Sequence, residues 1–447
     1  MLRRSALMGA LLCLLCAAAL LAARSRPVHP SPVASPTFSN EIVRIFQQHC
    51  QSCHHPGDIA PFSLMTFSEA APWASNIKFM TQTRQMPPWK ATPECGEFTG
   101  ERKMSEKEIE LIARWAEAGA PEGNRRDLPA PLEFKNGWTL GEPDLILKMP
   151  EAYTPPASGD MYRCFTLPAG IDAEAFVSAI DIRPGDRKSV HHVIAYIDTT
   201  GASESLDARD PGPGYTSFGG PGFDTTLTLG GWAPGTRPQS LPDGIAMSLP
   251  ARSRVVLQVH YHPHDGQPAP DQTEIGIYLT KKPVAKILRV LPILNTSFVL
   301  PPGDAAHQVN ASFQLPFFAS ARAWWVAPHM HLLGRKMKLE ATLPDGRNVC
   351  LINIDDWDFN WQGAYFLRDP LALPGGTVVT LKAQYDNSSS NRRNPNQPPQ
   401  AVRWGEATTD EMCIAFIGFT LDAENRKSKT SVDTSWIPVM PSASGRF

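Results

Sequence analysis

The period of the apolar positions changes near residue 140. Before it, Ile42, Ile45 and Phe46 recur at helical spacing and lead into Cys50. Ser105 and Glu108 form a capping-box pair ahead of Ile109, Ile112 and Trp115, and Gly119 with Pro121 stops that run. These signals predict a small all-α unit over 39–125 that begins and ends on a helix. Beyond it helical periodicity is rare. The runs 255–262, 323–326, 377–385 and 412–421 predict strands between Pro- and Gly-rich turns. They fit two all-β, jelly-roll-like sandwiches over 144–285 and 286–428. Residues 27–38 and 126–143 are expected to be linkers, and 429–447 a tail.

The first residues belong to none of these units. Arg3 and Arg4 precede an uncharged run, 6–23, closed by Ala22 and Ala23 before Arg24 and Pro27. This predicts an export signal over 1–26, or an N-terminal membrane anchor, since the run is just long enough to span a bilayer. Both place the chain in the periplasm or on the outer face of a membrane. Hydrophobic residues at 42% and charged residues at 19% fit folded domains with real cores. A net charge of −2 gives no basic footprint for nucleic acid. Eight cysteines are present. Four lie in the leader and near residue 50; Cys95, Cys164, Cys350 and Cys413 remain, an even set for an oxidising compartment. Spacing does not reveal their connectivity. Cys350–Cys413, within one unit, is the first pairing expected.

The small unit carries Cys50-Gln51-Ser52-Cys53-His54, the C-x-x-C-H spacing of c-type haem attachment. Two thiols can form thioethers to the vinyl groups, and the adjacent imidazole can reach the iron. A zinc half-site would need a second C-x-x-C in a folded unit, and the other such spacing, Cys13 and Cys16, lies in the apolar leader run. Met86, 32 residues past His54 and between the two end helices, is the first candidate for the sixth ligand. His49 and His55 compete with it. A helical unit of this size resembles a single-haem cytochrome c.

Three histidine clusters punctuate the β region: His191-His192, then His260, His262 and His264, then His329 and His331. Positions i and i+2 share a strand face, so His329 and His331 can converge on one metal; Gln258, His260 and His262 share a face too. Adjacent His191 and His192 point to opposite faces unless a bulge or strand end brings them together. Imidazole suits Cu, Zn, Fe and Ni alike, so spacing does not name the metal. No H-E-x-x-H supports a zinc hydrolase.

The order His191-His192, Gln258-Val259-His260-Tyr261, His329-Met330-His331-Leu332-Leu333-Gly334 and Asp410-Glu411-Met412-Cys413 resembles the copper type II monooxygenases over roughly 144–425. The resemblance implies two coppers. His191, His192 and His260 would hold the electron-transfer ion, with Gln258 a nearby polar residue. His329, His331 and Met412 would hold the oxygen-binding, catalytic ion. His262 and His264 are left as solvated loop histidines. The chain departs from the peptide-hydroxylating pattern at Ala327, where that enzyme carries an Arg for the substrate carboxylate. Ile414 and Phe416 stand where polar groups serve the same substrate, and Ala383 where a cysteine would bond to the residue after Met412. These departures argue against a glycine-extended peptide as the substrate.

Together these readings imply an exported haem and dicopper monooxygenase that hydroxylates a small substrate with O2. The covalently bound haem c at Cys50, Cys53, His54 and Met86 would feed the coppers, charged in turn by a redox protein or small reductant. The alternative is a non-catalytic electron-transfer or copper-binding protein. Trp324, Trp325 and the aromatic stretch 356–361 are candidates for a substrate cleft, although sandwich core is the simpler role for most of them.

Overall fold

A computed structural model describes residues 35–58, 60–134, 137–263, 266–428 and 432–438. The expected leader, most of the first linker, the tail beyond 438 and His264 lie outside the described residues. Among those described, no helix is long and apolar enough to cross a membrane.

The chain is mostly β-sheet with a few short helices at its start. Helices Val43–His49, Ala74–Gln82 and Glu106–Glu117 pack around Phe38, Ile42, Phe46, Ile112 and Trp115. The Ser105–Glu108 capping box forms in both directions. The Phe46 and Trp115 rings meet edge-on at 6.1 Å, which holds the end of the first helix, and so Cys50, against the last one.

Two five-stranded sheets follow. Met161–Pro168, Val190–Asp198 and Arg254–Tyr261 lie in one, Ala175–Arg183 and Glu274–Leu279 in the other. Val193, Val255 and Val259 of the first sheet and Ile275 and Ile277 of the second share one solvent-free core. The run at 254–261 is buried from its second residue onward, which is why it shows no polar alternation. Two four-stranded sheets then enclose the second core. Arg289–Asn295, Cys413–Leu421, Ala321–His329 and Tyr365–Leu373 form one; His307–Gln314, Val378–Tyr385, Gly334–Thr342 and Asn348–Ile354 form the other.

One stretch of the early region leaves the helices. Residues 89–99 run along the second sandwich, where Ala91 bridges Ile354, Phe98 bridges Leu367, and both side chains enter its core. Cys95 there is disulfide-bonded to Cys350. This corrects the expected Cys350–Cys413 pairing. Cys350 lies on the edge strand Asn348–Ile354, whereas Cys413 is buried as a free thiol in the opposite sheet. Burial pushes the Cys413 thiol up to about 12, beside the Tyr385 hydroxyl. Cys164 is likewise buried and free.

Candidate metal centre

Strands Val190–Asp198 and Arg254–Tyr261 pair with His192 directly opposite His260, and their register shifts between Val190 and His192. That bulge brings both members of the adjacent pair to one side. The Nδ1 atoms of His191 and His192 lie 3.3 Å apart, and those of His260 and His192 3.4 Å apart. Tetrahedral ligation at about 2.0–2.1 Å places ligand nitrogens about 3.3–3.4 Å apart. Three facing Nδ1 atoms cannot all be satisfied by hydrogen bonds to one another, and a shared cation resolves the conflict. His191, His192 and His260 form a three-residue group able to hold a metal ion. Burial, then the neighbouring histidines, holds His191 and His192 well below the usual imidazole range, so both present neutral lone pairs.

Asp160 orients the third histidine. Its Oδ1 accepts from His260 Nε2 at 3.1 Å and from His262 Nδ1 at 2.8 Å, and its Oδ2 accepts the Thr408 N–H at 2.9 Å. A proton on Nε2 leaves Nδ1 of His260 free to ligate. Burial alone would push the Asp160 carboxyl up, but the bonds from His260 and His262 outweigh it and hold it below the usual carboxylate range. His262 is therefore tied to Asp160 rather than simply solvated. Tyr162 stacks on His260 at 4.1 Å, and its hydroxyl donates to the Glu406 carbonyl at 2.8 Å.

The second set sits directly across the boundary between the sandwiches. The His329 and His331 rings are 5.2 Å apart, and His329 lies 6.2 Å from His192. His331 donates from Nδ1 to the Asp410 carbonyl at 3.1 Å, leaving Nε2 free. Met412 and His329 line one cavity together with His192. Phe359 stacks on His191 at 4.4 Å, while Trp357 donates to the His331 carbonyl.

Glu411 clips this second set together. Its carboxylate accepts the N–H groups of His331, Leu333 and Met412 at 2.9, 2.6 and 3.1 Å. Burial pushes its carboxyl up to about 8, and these amides pull against the rise. Gln258 spans the carbonyls of Ser217 and Gly220. Asp160 did not stand out in the sequence, and Glu411, although part of the 410–413 motif, was given no role there. Asp160 is separated by 100 residues from the histidine it orients, and Glu411 by 80 from His331.

In the helical unit, Cys50 and Cys53 are free thiols. The N–H groups of Cys53 and His54 both donate to the Cys50 carbonyl, at 3.1 and 2.9 Å. Burial, then Cys53 and Glu108, pushes the Cys50 thiol up to about 12. His54 Nδ1 is fixed on the Phe62 carbonyl at 3.1 Å, which leaves Nε2 as the lone-pair face. The unpaired thiols and this tautomer fit covalent haem attachment. His49 is paired with Glu108, and His55 is bonded to the Gln51 carbonyl. Met86 is partly buried, its N–H on the Met80 carbonyl, and no hydrogen bond ties it to the 50–54 turn. Arg237 of the first sandwich reaches Ser52, and Cys53 and Arg237 both act on the half-buried Arg102.

The depressed imidazoles make the metal-free chain acid-sensitive. Burial pulls His329 down to about 4 from an ordinary 6.5. Between those values the unfolded chain binds more protons than the folded one, so stability falls as pH falls through that window. At about 1.4 kcal/mol per unit, His329 alone contributes a loss of roughly 3 kcal/mol. Thermal midpoints of the copper-free protein at pH 7 and pH 4.5 check this; equal midpoints would contradict it.

The C-terminal domain model of the copper type II ascorbate-dependent monooxygenases matches residues 286–437. The chain is similar to peptidylglycine alpha-amidating monooxygenase of Rattus norvegicus, 23% identical over 285 residues, covering 60% of this chain and 26% of that protein. It is also similar to DBH-like monooxygenase protein 1 of Homo sapiens, 23% identical over 257 residues, covering 53% of this chain and 40% of that protein. It thus spans well under half the length of either. Among solved structures, PNGF-II is similar at a TM-score of 0.27 and 10% identity, covering 62% of this chain and 65% of that one, too low to carry an argument. By sequence, residues 286–437 match the C-terminal domain of the copper type II ascorbate-dependent monooxygenases, and more than half of the chain is similar to the two monooxygenases just named.

Proposed function

We propose that this chain is an exported copper monooxygenase that hydroxylates a C–H bond of a small substrate, with a c-type haem as its built-in electron donor. The observation that carries the reading is the meeting of two candidate ligand sets, His191, His192 and His260 with His329, His331 and Met412, of which His192, His329 and Met412 line one cavity. The net reaction inserts one oxygen atom of O2 into the substrate and reduces the other to water, consuming two electrons and two protons. Copper held by these residues would supply the O2 chemistry, and haem at Cys50 and Cys53 the electrons.

The protein's own groups serve that task in separate ways. A thioether from Met412 with the imidazoles of His329 and His331 would hold copper and favour its reduced state. The set of three imidazoles is harder and suits one-electron cycling. Asp160 and Glu411 fix ring orientation and loop position. His54 would ligate the iron through Nε2, with Met86 as the sixth ligand. Arg102 and Arg237, for which no ion pair is found among the described residues, would face the haem carboxylates. Arg237 also lines the cavity, so the haem turn and the copper-side cavity share a wall. The disulfide between Cys95 and Cys350 supports an oxidising compartment.

The test uses full-length protein matured with haem, reduced anaerobically and then mixed with O2. Haem re-oxidation should require copper and slow at least 100-fold in His331→Ala and in Met412→Ala. Re-oxidation indifferent to copper and to both substitutions would leave an electron-transfer or copper-binding protein instead.

A further inference from the structure

Between the two sandwiches lies a cavity of about 500 Å³, within the usual range for a small-molecule site. Its floor comes from adjacent strands of the second sandwich. Trp325, Ala327 and His329 alternate along Ala321–His329 and so share a face. Phe416 pairs with Ala327, and Ile414 with His329, on Cys413–Leu421. The Trp325 indole lies flat against Gly418, where an added Cβ would fall 2.0 Å from its Nε1. A glycine there lets the ring form a wall. The roof comes from the first sandwich, through Ile180, Ile194 and Leu229.

Charge is nearly absent from this lining. Arg237 and Glu406 are its only Asp, Glu, Lys or Arg residues. Arg237 is turned toward Ser52 of the haem-motif turn. Glu406 takes the Gly219 N–H, and burial pushes its carboxyl up to about 7. The faces built by Trp325, Ala327, Ile414, Phe416, Ile180 and Leu229 carry no ion to pair with a carboxylate or an ammonium. A charged ligand lying against them would be desolvated without compensation, whereas an apolar one gains from each of them.

We propose that this cavity takes a neutral, largely hydrophobic, ring-bearing molecule and excludes carboxylate and ammonium substrates. Naming that molecule a substrate rests on the monooxygenase reading; its chemistry rests on the lining alone. His192, His329 and Met412 open onto the same space. A bound molecule would therefore present its C–H bonds to both ligand sets. One hydroxyl or carbonyl on it could be met by Glu406 or Gln362, both in the wall.

The experiment is a fluorescence titration of the full-length, copper-free protein with N-phenyl-1-naphthylamine, a neutral aromatic probe. Saturable one-to-one binding is expected. Menthol should displace the probe at least tenfold better than hippurate or tyramine. Ala327→Arg on the floor and Ile180→Lys on the roof should each weaken probe binding at least tenfold, with folding of both variants checked by circular dichroism. Absent binding, equal displacement by the charged competitors, or wild-type binding in both folded variants would overturn the proposal. Because the readout needs neither copper nor O2, it separates the two readings. Probe binding without copper-dependent O2 consumption refutes the monooxygenase and leaves the cavity chemistry standing. The reverse result refutes the cavity chemistry alone.

Discussion

Replacing Glu411 with Ala is expected to lower the thermal midpoint of the chain by roughly 10 °C and to abolish copper binding at His329, His331 and Met412. Binding at His191, His192 and His260 should survive. Glu411 is fully buried, and its two oxygens terminate the N–H groups of His331, Leu333 and Met412. Those amides belong to the turn after Ala321–His329 and to the residue before Cys413–Leu421; the ladder between the two strands ends at the His329–Ile414 pair, and Glu411 continues the tie beyond it. Each orphaned buried amide costs about 1–3 kcal/mol. Some would rehydrate from the adjacent cavity, which leaves a loss of about 4 kcal/mol. At about 2–4 °C per kcal/mol for a unit of this size, the shift follows.

Glu411→Gln is the sharper variant. Its oxygen replaces one acceptor, but its NH2 group then faces N–H donors. It should therefore resemble Ala rather than wild type. Calorimetry together with copper stoichiometry reads both variants. A Gln protein that keeps two coppers and its midpoint would show that the carboxylate does not hold the loops.

The parts legible in the sequence are those encoded by neighbours. Ser105 and Glu108 announced their helix because a capping box is a four-residue device, and Ile112 and Trp115 are its solvent-free face. The strand run near 255 was legible as an apolar run because both of its faces are buried. The 323–326 run was read short. The strand extends over Ala321–His329, where the exposed Arg322 and the mid-strand bulge interrupt the pattern.

What the sequence concealed depends on distant partners. Residues 89–99 carry no strand signal of their own and gain their place only by lying beside Asn348–Ile354 and Tyr365–Leu373. Without that placement, Cys95 had no visible partner and Cys350 was assigned the wrong one. The histidine pairs pointed to ligand chemistry one strand at a time. Their closeness across the sandwich boundary, with His192 6.2 Å from His329, is a property of domain packing that no local pattern records. Asp160 escaped notice, and Glu411 was given no role within its motif, for the same reason: an acid between turn residues looks like any solvated carboxylate.

Asp160→Ala is expected to weaken copper binding at His191, His192 and His260 by about 10- to 100-fold, the usual effect of losing a carboxylate behind a ligating histidine. Without the carboxylate, the Nε2 proton of His260 has no acceptor, and the tautomer that aims the Nδ1 lone pair at His192 is no longer favoured. Thr408, on the loop leading to Met412, also loses its partner, so the variant loosens a tie between the two ligand sets.

Tyr162→Phe separates these two effects. It removes the hydroxyl bond to the Glu406 carbonyl, another tie to the same loop, yet keeps the ring that stacks on His260 and leaves Asp160 in place. If imidazole orientation is the cause, chelator competition should show near wild-type affinity in Tyr162→Phe and the full loss in Asp160→Ala. Asp160→Asn should fall between, since its amide oxygen can still accept from both histidines, but the negative charge is lost and its NH2 group then faces the Thr408 N–H. Equal losses in Tyr162→Phe and Asp160→Ala would move the cause from the ring of His260 to the seam between the sandwiches.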